Sequence, residues 1–465
     1  MELAEYTRLD AVGVRELIVA GEVRAAEVQA VAREAIAQAD AVLHGLAQPL
    51  FDAPLAHDTH GPFGGVPFLL KDGPMAAGVE FNVGSRALNG IRAQHDSDLM
   101  RRFRAAGLAA LGVTNVPELA LSFATEPVRT GPTSNPWELG RGVGGSSGGA
   151  AALVAAGAVP VAHANDSAGS IRIPASACGL VGLKPSRGRV RCGPDSADPG
   201  FGAAVEFALT RTVRDAAHLL DAVHGPGVGD KYTAPPPVRR YAEELTAEPG
   251  PLRVAISTRS WSGGGVDAEV VAATERVGLL FDDVTVADPA LDWDDVVHAA
   301  TAVVAAGAAP FLNAPRHPQP DKLEAVSRQI MAEADALSAM DLLRLLDAQN
   351  RVSRKVGAFF TDYDVLITPT LAQLPPEHGT LSSDRPGYTV ESWLRTLFDV
   401  GPFTVAFNLA GQPAISLPLG MSASGVPIGV QFAAGYGRED LLLRLAARLE
   451  RELPWAGRIP PHAVR

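Results

Sequence analysis

The sequence predicts an α/β fold in which a large mixed, mainly parallel central sheet is covered by helices on both faces. Two observations carry this reading. Short apolar runs of strand character alternate with runs of helical spacing along much of the chain. The 465 residues are 47% hydrophobic and only 20% charged, the balance of a folded chain with a sizeable core. No internal repeat at solenoid or propeller periods competes with it.

The elements follow in order. Residues 1–45 are expected to be helical: Asp10 can cap a run holding Val12, Leu17 and Ile18, and Arg24–Leu43 is Ala-rich with helical spacing of Val28, Val31 and Ile36. Gln48–Pro62 reads as a loop and Val66–Leu70 as a buried strand. Ser97–Ala106 reads as a helix capped by Asp96 or Ser97, and Leu108–Val113 as a strand after the Gly107 stop. Gly148–Ala156 is a small-residue helix and Ala158–Ala162 a strand. The alternation returns with strand Leu252–Ser257, helix Asp267–Leu280 and strand Val284–Ala287. Asp321–Phe360 looks helical. Strands Val365–Thr368, Ala414–Leu417 and Ile428–Phe432 precede helix Arg438–Arg451. Pro-rich stretches at 234–237 and 315–320 signal loops. None is long enough to mark a boundary, so one domain spanning 1–465 is expected, with helical cover from about 1–45 and 321–360.

The formal charge is −12, which argues against a nucleic-acid partner and against anionic lipid surfaces. The N-terminus carries charges throughout and lacks the apolar run of a secretory signal. No stretch has the ~20 apolar residues of a membrane span, and a cytoplasmic location is expected. Two cysteines, Cys178 and Cys192, make no disulfide framework and no metal-ligand spacing. No metal and no cofactor are expected. Of 40 basic residues only five are lysines, at 71, 184, 231, 322 and 355. Arg cannot give up its proton in a protein whereas Lys can, so each retained lysine invites scrutiny.

The most unusual segment is Gly142-Val143-Gly144-Gly145-Ser146-Ser147-Gly148-Gly149. Three readings compete. A phosphate-cradling loop would end in Gly-Lys-Ser/Thr, which is absent. A nucleophile elbow would follow a hydrophobic strand, and here Asn135–Arg141 is turn chemistry. The third reading is a flexible loop before a helix. A second small-residue loop, Asn165-Asp166-Ser167-Ala168-Gly169-Ser170-Ile171-Arg172, lies 24 residues on from Ser146 at Ser170. Upstream, Lys71 ends an apolar strand, where burial would lower its pKa. His163 and Asp166 could form a His–Asp pair, although a satisfied core histidine is the simpler expectation.

With these pieces in order, the chain resembles the amidase signature hydrolases over nearly its full length. The resemblance is densest from Val66 to Val190. It runs through Lys71, Gly131-Pro132-Thr133-Ser134-Asn135-Pro136-Trp137, the Gly-Ser segment, the Asp166–Pro174 loop and Cys178–Ser186. Pro413–Pro418 and Gly425–Gln431 continue it. Within the family, Asn165-Asp166, Ala168–Pro174, Thr210–Asp215 and Gly229–Pro235 look similar to the branch that includes 6-aminohexanoate-cyclic-dimer hydrolases.

The resemblance implies a Ser–cis-Ser–Lys triad, with Ser170 as nucleophile, Ser146 as the bridging serine after a cis peptide bond, and Lys71 as base. A lysine has an ordinary pKa of about 10.4, and lowering it by ~3 units costs the ammonium about 4 kcal/mol relative to the amine. The resemblance also places the oxyanion hole on the backbone N–H groups of Ser167, Ala168, Gly169 and Ser170. Asp166 and Arg172 are expected to pair and hold the loop, and Ser147 to hydrogen-bond within the site. Lys184 is expected to be structural. The family usually has Gly-Gly before the nucleophile, and Thr or Ser where Asn165 stands. If position 168 required φ > 0, Ala168 would be strained by about 1 kcal/mol.

The implied activity is hydrolysis of a small linear or cyclic amide through an acyl-enzyme, and the resemblance allows a homodimer. The substrate pocket is expected from loops at 195–207, 295–313 and 369–403. Other readings are the amidase subunit of a glutamine-dependent amidotransferase, an amidase for peptide C-terminal amides or aryl acetamides, and a catalytically silent binding protein. The presence of all three triad residues weighs against the last.

Overall fold

The computed structural model describes residues 1–196, 198–314 and 317–465. Its strands are β1 (Pro67–Lys71), β2 (Ala109–Thr114), β3 (Val161–Asp166), β4 (Val181–Lys184), β5 (Val205–Thr210), β6 (Val254–Ile256), β7 (Val284–Val286), β8 (Val365–Pro369), β9 (Ala414–Met421) and β10 (Pro427–Ala434). They form one ten-stranded sheet in the order β2-β1-β3-β5-β4-β9-β10-β8-β6-β7. Every residue of β1, β2, β4, β8 and β10 is buried. Burial on both faces is why most of these segments read as apolar runs rather than as alternation.

The sheet is mixed. Parallel pairs make up its two wings, β2-β1-β3 and β8-β6-β7. The five pairs from β3 through β8 are antiparallel and outnumber the four parallel ones, where a mainly parallel sheet was expected. At β9–β10 the reason is local: a tight turn from Ser422 to Val426 closes a hairpin, which can only pair antiparallel.

Helices cover both faces. Successive residues of β8 show this, because Val365 and Ile367 join one hydrophobic cluster while Leu366 joins another. The first cluster takes in helices Ala11–Ala20, Ala25–Leu43, Asp98–Ala106, Gly148–Ala155, Val213–Val223 and Glu439–Glu452. The second takes in helices Trp293–Leu312, Ala325–Ala336, Ala339–Asp362, Val390–Val400 and Val405–Ala410. Among the described residues, Trp293–Leu312 is the one helix long and apolar enough to cross a membrane. Here it packs in the second cluster.

The caps follow side-chain chemistry. Asp10 accepts from the Gly13 N–H as expected. Ser97, not Asp96, caps the helix from Asp98, accepting from the Met100 N–H. Asp96 pairs with Arg104 instead. The 321–360 segment is two helices, because Ser338 starts a fresh capping box with Asp341.

Several boundaries differ from the sequence reading. The strand expected at 158–162 runs from Val161 to Asp166. The Gly157 turn and Pro160, which has no N–H to give a ladder, delay its start. The expected loop 295–313 lies almost wholly within the helix Trp293–Leu312, and 369–403 contains the helix Val390–Val400. Trp293–Leu312 is so rich in Ala and Val that its periodicity is masked, whereas Val390–Val400 has a clear helical spacing of Val390, Trp393, Leu394, Leu397 and Phe398 that the loop expectation overlooked. Strands β4 and β5 and helix Arg172–Cys178 were not anticipated as elements. The Pro-rich signal at 315–320 and the expected pocket loop at 195–207 both include residues outside those described.

Candidate functional site

β1 and β3 are parallel neighbours, and this places the end of β1 beside the end of β3. Lys71 ends β1, and Asn165 and Asp166 end β3. Lys71 is only 2% exposed. Its Nζ donates to Ser146 Oγ at 2.7 Å and to Asn165 Oδ1 at 2.5 Å. Both partners are neutral. Burial pulls the lysine pKa from 10.5 down to about 7, against the opposing pull of Glu206 and Asp166.

Lys184 is the instructive contrast. It is also fully buried, and burial, reinforced by Arg172, likewise lowers it to about 7. Its Nζ donates to the carbonyl of its own neighbour Pro185. The pKa values do not separate the two lysines. Contact with a serine hydroxyl does, and only Lys71 has it.

Ser146 follows a cis peptide bond from Gly145. The surrounding glycines are there for close packing, not mobility. A Cβ on Gly145 would stand 2.6 Å from the Ser122 carbonyl oxygen, and one on Gly148 would stand 2.2 Å from Thr125 Oγ1. Residues 142–154 are almost all buried, which removes the flexible-loop reading. Ser147 donates to the Asn165 carbonyl at 3.3 Å, inside the site as expected.

Ser170 sits on the turn leaving β3. The Asp166 carboxylate organises that turn, accepting from the N–H groups of Gly169, Ile171 and Arg172 at 2.7, 3.2 and 3.4 Å. Asp166 and Arg172 are both wholly buried and form a bidentate pair. The remaining guanidinium hydrogens go to the Thr404 carbonyl, Gln431 Oε1 and Asn408 Oδ1. All five guanidinium donors are thus satisfied. Burial acts to raise the Asp166 carboxyl, but Arg172, Lys184 and Asn408 together hold it well below the usual carboxylate range.

The strain considered for Ala168 does not arise. Ala168 is not among the residues of positive φ; Gly169 takes that conformation, at φ 138°. A side chain on Gly169 would also meet Ile173 and Thr404 within 2.7 Å. Of the four expected oxyanion donors, Gly169 N–H is committed to Asp166. The N–H groups of Ser167, Ala168 and Ser170 donate to no other described residue.

Lys71 and Ser146 are therefore joined by a hydrogen bond, whereas Ser146 and Ser170 share none within 3.5 Å. In unliganded sites such contacts commonly tighten only when substrate binds. His163 pairs not with Asp166 but with Glu206, at 2.7 Å. Glu206, Asn408 and Gln431 were missed by sequence reasoning. Both cysteines are free thiols, and burial raises both.

Ser167, Ala168 and Ser170 line a cavity of about 140 Å³. Its other walls include Phe123, Val303, Val304, Trp393 and Leu397. No charged side chain lines it among the described residues. Two of the three expected pocket segments contribute, 295–313 and 369–403, as helices. A larger cavity of about 530 Å³ near both chain ends contains none of the expected site residues.

Comparison with known proteins gives consistent matches. The family model described as Amidase matches residues 22–443. A 6-aminohexanoate-cyclic-dimer hydrolase of Paenarthrobacter ureafaciens is 39% identical, over 97% of this chain and 96% of that one. A solved structure of a 6-aminohexanoate cyclic dimer hydrolase complexed with substrate superposes with a TM-score of 0.91 at 39% identity, covering 98% and 99% of the two chains. A bacterial aryl acylamidase at 24% identity shares the fold, with a TM-score of 0.84 over 98% of this chain and 99% of that one.

The Asp166–Arg172 pair makes a testable contribution to stability. Asp166→Ala leaves a buried guanidinium without its anion and is expected to cost about 3–5 kcal/mol in urea unfolding. The folded carboxyl lies below its unfolded value of about 3.9, so its stabilisation is complete above that pH and lost as the pH falls below it. Wild type should therefore lose more stability than the variant on acidification through that range. A variant as stable as wild type at pH 7 would refute this.

Proposed function

The chain belongs to the amidase signature family, and from that premise we propose that it hydrolyses a small uncharged amide through Ser170, with Lys71 and Ser146 relaying protons. As an amide-cleaving hydrolase closely related to 6-aminohexanoate-cyclic-dimer hydrolases, it needs a nucleophile, a base and an acid for the departing amine. The observation that carries the assignment is the 2.7 Å contact between buried Lys71 Nζ and Ser146 Oγ, beside a cavity walled by Ser170.

In this reading neutral Lys71 accepts the Ser146 hydroxyl proton while Ser146 Oγ accepts that of Ser170. Ser170 Oγ attacks the amide carbon. The carbonyl oxygen gains negative charge and is met by backbone N–H groups of the 167–170 turn, those of Ser167, Ala168 and Ser170 having no competing acceptor. Ser146 returns a proton to the amine as the carbon–nitrogen bond breaks. Water then attacks the Ser170 ester by the same relay. Asp166 and Arg172 support the turn and take no proton.

The cavity lining bears on the substrate. An apolar wall favours an uncharged acyl group, because an isolated ion moved from water to such a site meets a large desolvation cost. A cyclic amide carries no free ammonium or carboxylate and suits this wall. Glutamine carries both and would find no partner there, which argues against an amidotransferase subunit. We take the continuous sheet to mean that the chain works as one amidase domain, binding a small-molecule amide.

Two experiments test this reading. A fluorophosphonate probe should label Ser170, and Lys71→Ala or Ser146→Ala should slow labelling about 10²-fold or more. Adduct on Ser146, formed independently of Lys71, would overturn the assignment. In a panel followed by amine release, uncharged cyclic and alkyl amides should exceed glutamine by about 10²-fold in kcat/KM. Preference for glutamine would overturn the substrate reading.

A further inference from the structure

We propose that Glu206 is a positioning residue for the base, acting through Asn165 to aim the Lys71 amine at Ser146. The inference rests on the reading of Lys71 as base and extends it to a residue two strands away.

The geometry is a closed circuit of hydrogen bonds across β1, β3 and β5. It begins and ends on Lys71. The Lys71 backbone N–H donates to His163 Nδ1 at 3.2 Å. Nδ1 is therefore the acceptor nitrogen of a neutral ring, and Nε2 carries the hydrogen. Nε2 donates to Glu206 Oε2 at 2.7 Å. Asn165 Nδ2 donates to Glu206 Oε1 at 3.3 Å. Asn165 Oδ1 then accepts from Lys71 Nζ at 2.5 Å. Register makes this feasible: Asn165 and Glu206 are direct cross-strand partners, and His163 is two residues back on the same face of β3.

Each link fixes the polarity of the next. Two donors, from His163 and Asn165, converge on position 206. A carboxylate supplies two acceptor oxygens, and a carboxamide only one. With Glu206 present, Asn165 must turn its NH2 to Glu206 and its oxygen to Lys71. One Lys71 N–H is thereby held on Asn165, which restricts rotation of the amine; the 2.7 Å contact that the ammonium makes to Ser146 Oγ as a donor is then taken, in the neutral amine, by its lone pair. If the Asn165 amide flipped, NH2 would meet the lysine N–H and the lone pair would lose its bearing.

The charged and titratable groups facing Lys71 are few. Asp166 lies on β3, Glu206 on β5, and Asp72 follows it in the chain. His163 is neutral in the tautomer above. Arg172 is neutralised by Asp166. Of these, Glu206 and Asp166 favour the ammonium, Glu206 the more strongly, though neither touches it. Loss of the Glu206 charge should accordingly move the acid limb of the rate profile to lower pH. Loss of its positioning should lower the plateau. A residue with only a structural role would produce neither effect while the fold stays intact.

The test is a double-mutant cycle on the full-length enzyme, with the fluorophosphonate rate at Ser170 measured against pH. Glu206→Gln is expected to lower the plateau rate about tenfold and to move the acid limb to lower pH. In an Asn165→Ala background, the same change should alter the plateau less than about twofold, because the link to Lys71 is already cut. Thermal melting of each variant establishes folding, and a Glu206→Asp variant tests partial rescue by a carboxylate. Equal effects of Glu206→Gln in both backgrounds, or a profile superimposable on wild type, would overturn the proposal. If Lys71→Ala abolishes labelling while Glu206→Gln changes nothing, the base assignment stands and this inference alone fails. If Lys71→Ala leaves labelling intact, the base assignment fails with it.

Discussion

The site depends on one constraint: an amine is buried without a carboxylate in contact. Among the described residues, the Lys71 amine hydrogen-bonds only the hydroxyl of Ser146 and the amide oxygen of Asn165. Had Asp or Glu stood at either position, the pair would hold the ammonium and the lysine could not accept a proton near neutral pH. The carboxylates that do act on it are Glu206, reached through Asn165, and Asp166, the next residue along β3. Their charge tempers the effect of burial without cancelling it.

The rest of the architecture serves that arrangement. The parallel wing β2-β1-β3 brings the ends of β1 and β3 together, and the antiparallel β5 carries Glu206 alongside. The nucleophile turn is held by a second polar assembly, Asp166 with Arg172, whose donors reach Thr404, Asn408 and Gln431. The charge held directly against the turn lies in this fully paired unit behind it. On the substrate side the wall is apolar, contributed by helices Trp293–Leu312 and Val390–Val400. Low polarity there strengthens the dipoles that face the reacting carbonyl.

Much of this was legible in the sequence. Lys71, Ser146 and Ser170 stood out because small-residue segments and a rare lysine are distinctive locally. Most of the buried strands announced themselves as apolar runs, β4 and β5 excepted. Other parts were hidden for physical reasons. Glu206 lies in Val205–Thr210, where alternation hints at a strand, but its partners are 41 and 43 residues away and depend on sheet order. Asn408 sits in an apolar helical turn and gains its role from Asp166, 242 residues upstream. Trp293–Leu312 is a helix whose Ala and Val residues left its cavity-facing side indistinct. The glycines after Gly142 suggested mobility, whereas the neighbours of Gly145 and Gly148 show packing too tight for a side chain.

The central claim is that Lys71 is a neutral amine at working pH, and the most direct measurement is its own titration. The chain has only five lysines, so ¹³Cε signals of isotopically labelled enzyme should be few enough to assign through Lys71→Ala. Lys71 should titrate at about 7, far below the ordinary value of a lysine. A Lys71 signal that titrates at the ordinary lysine value of about 10.4 would contradict the account.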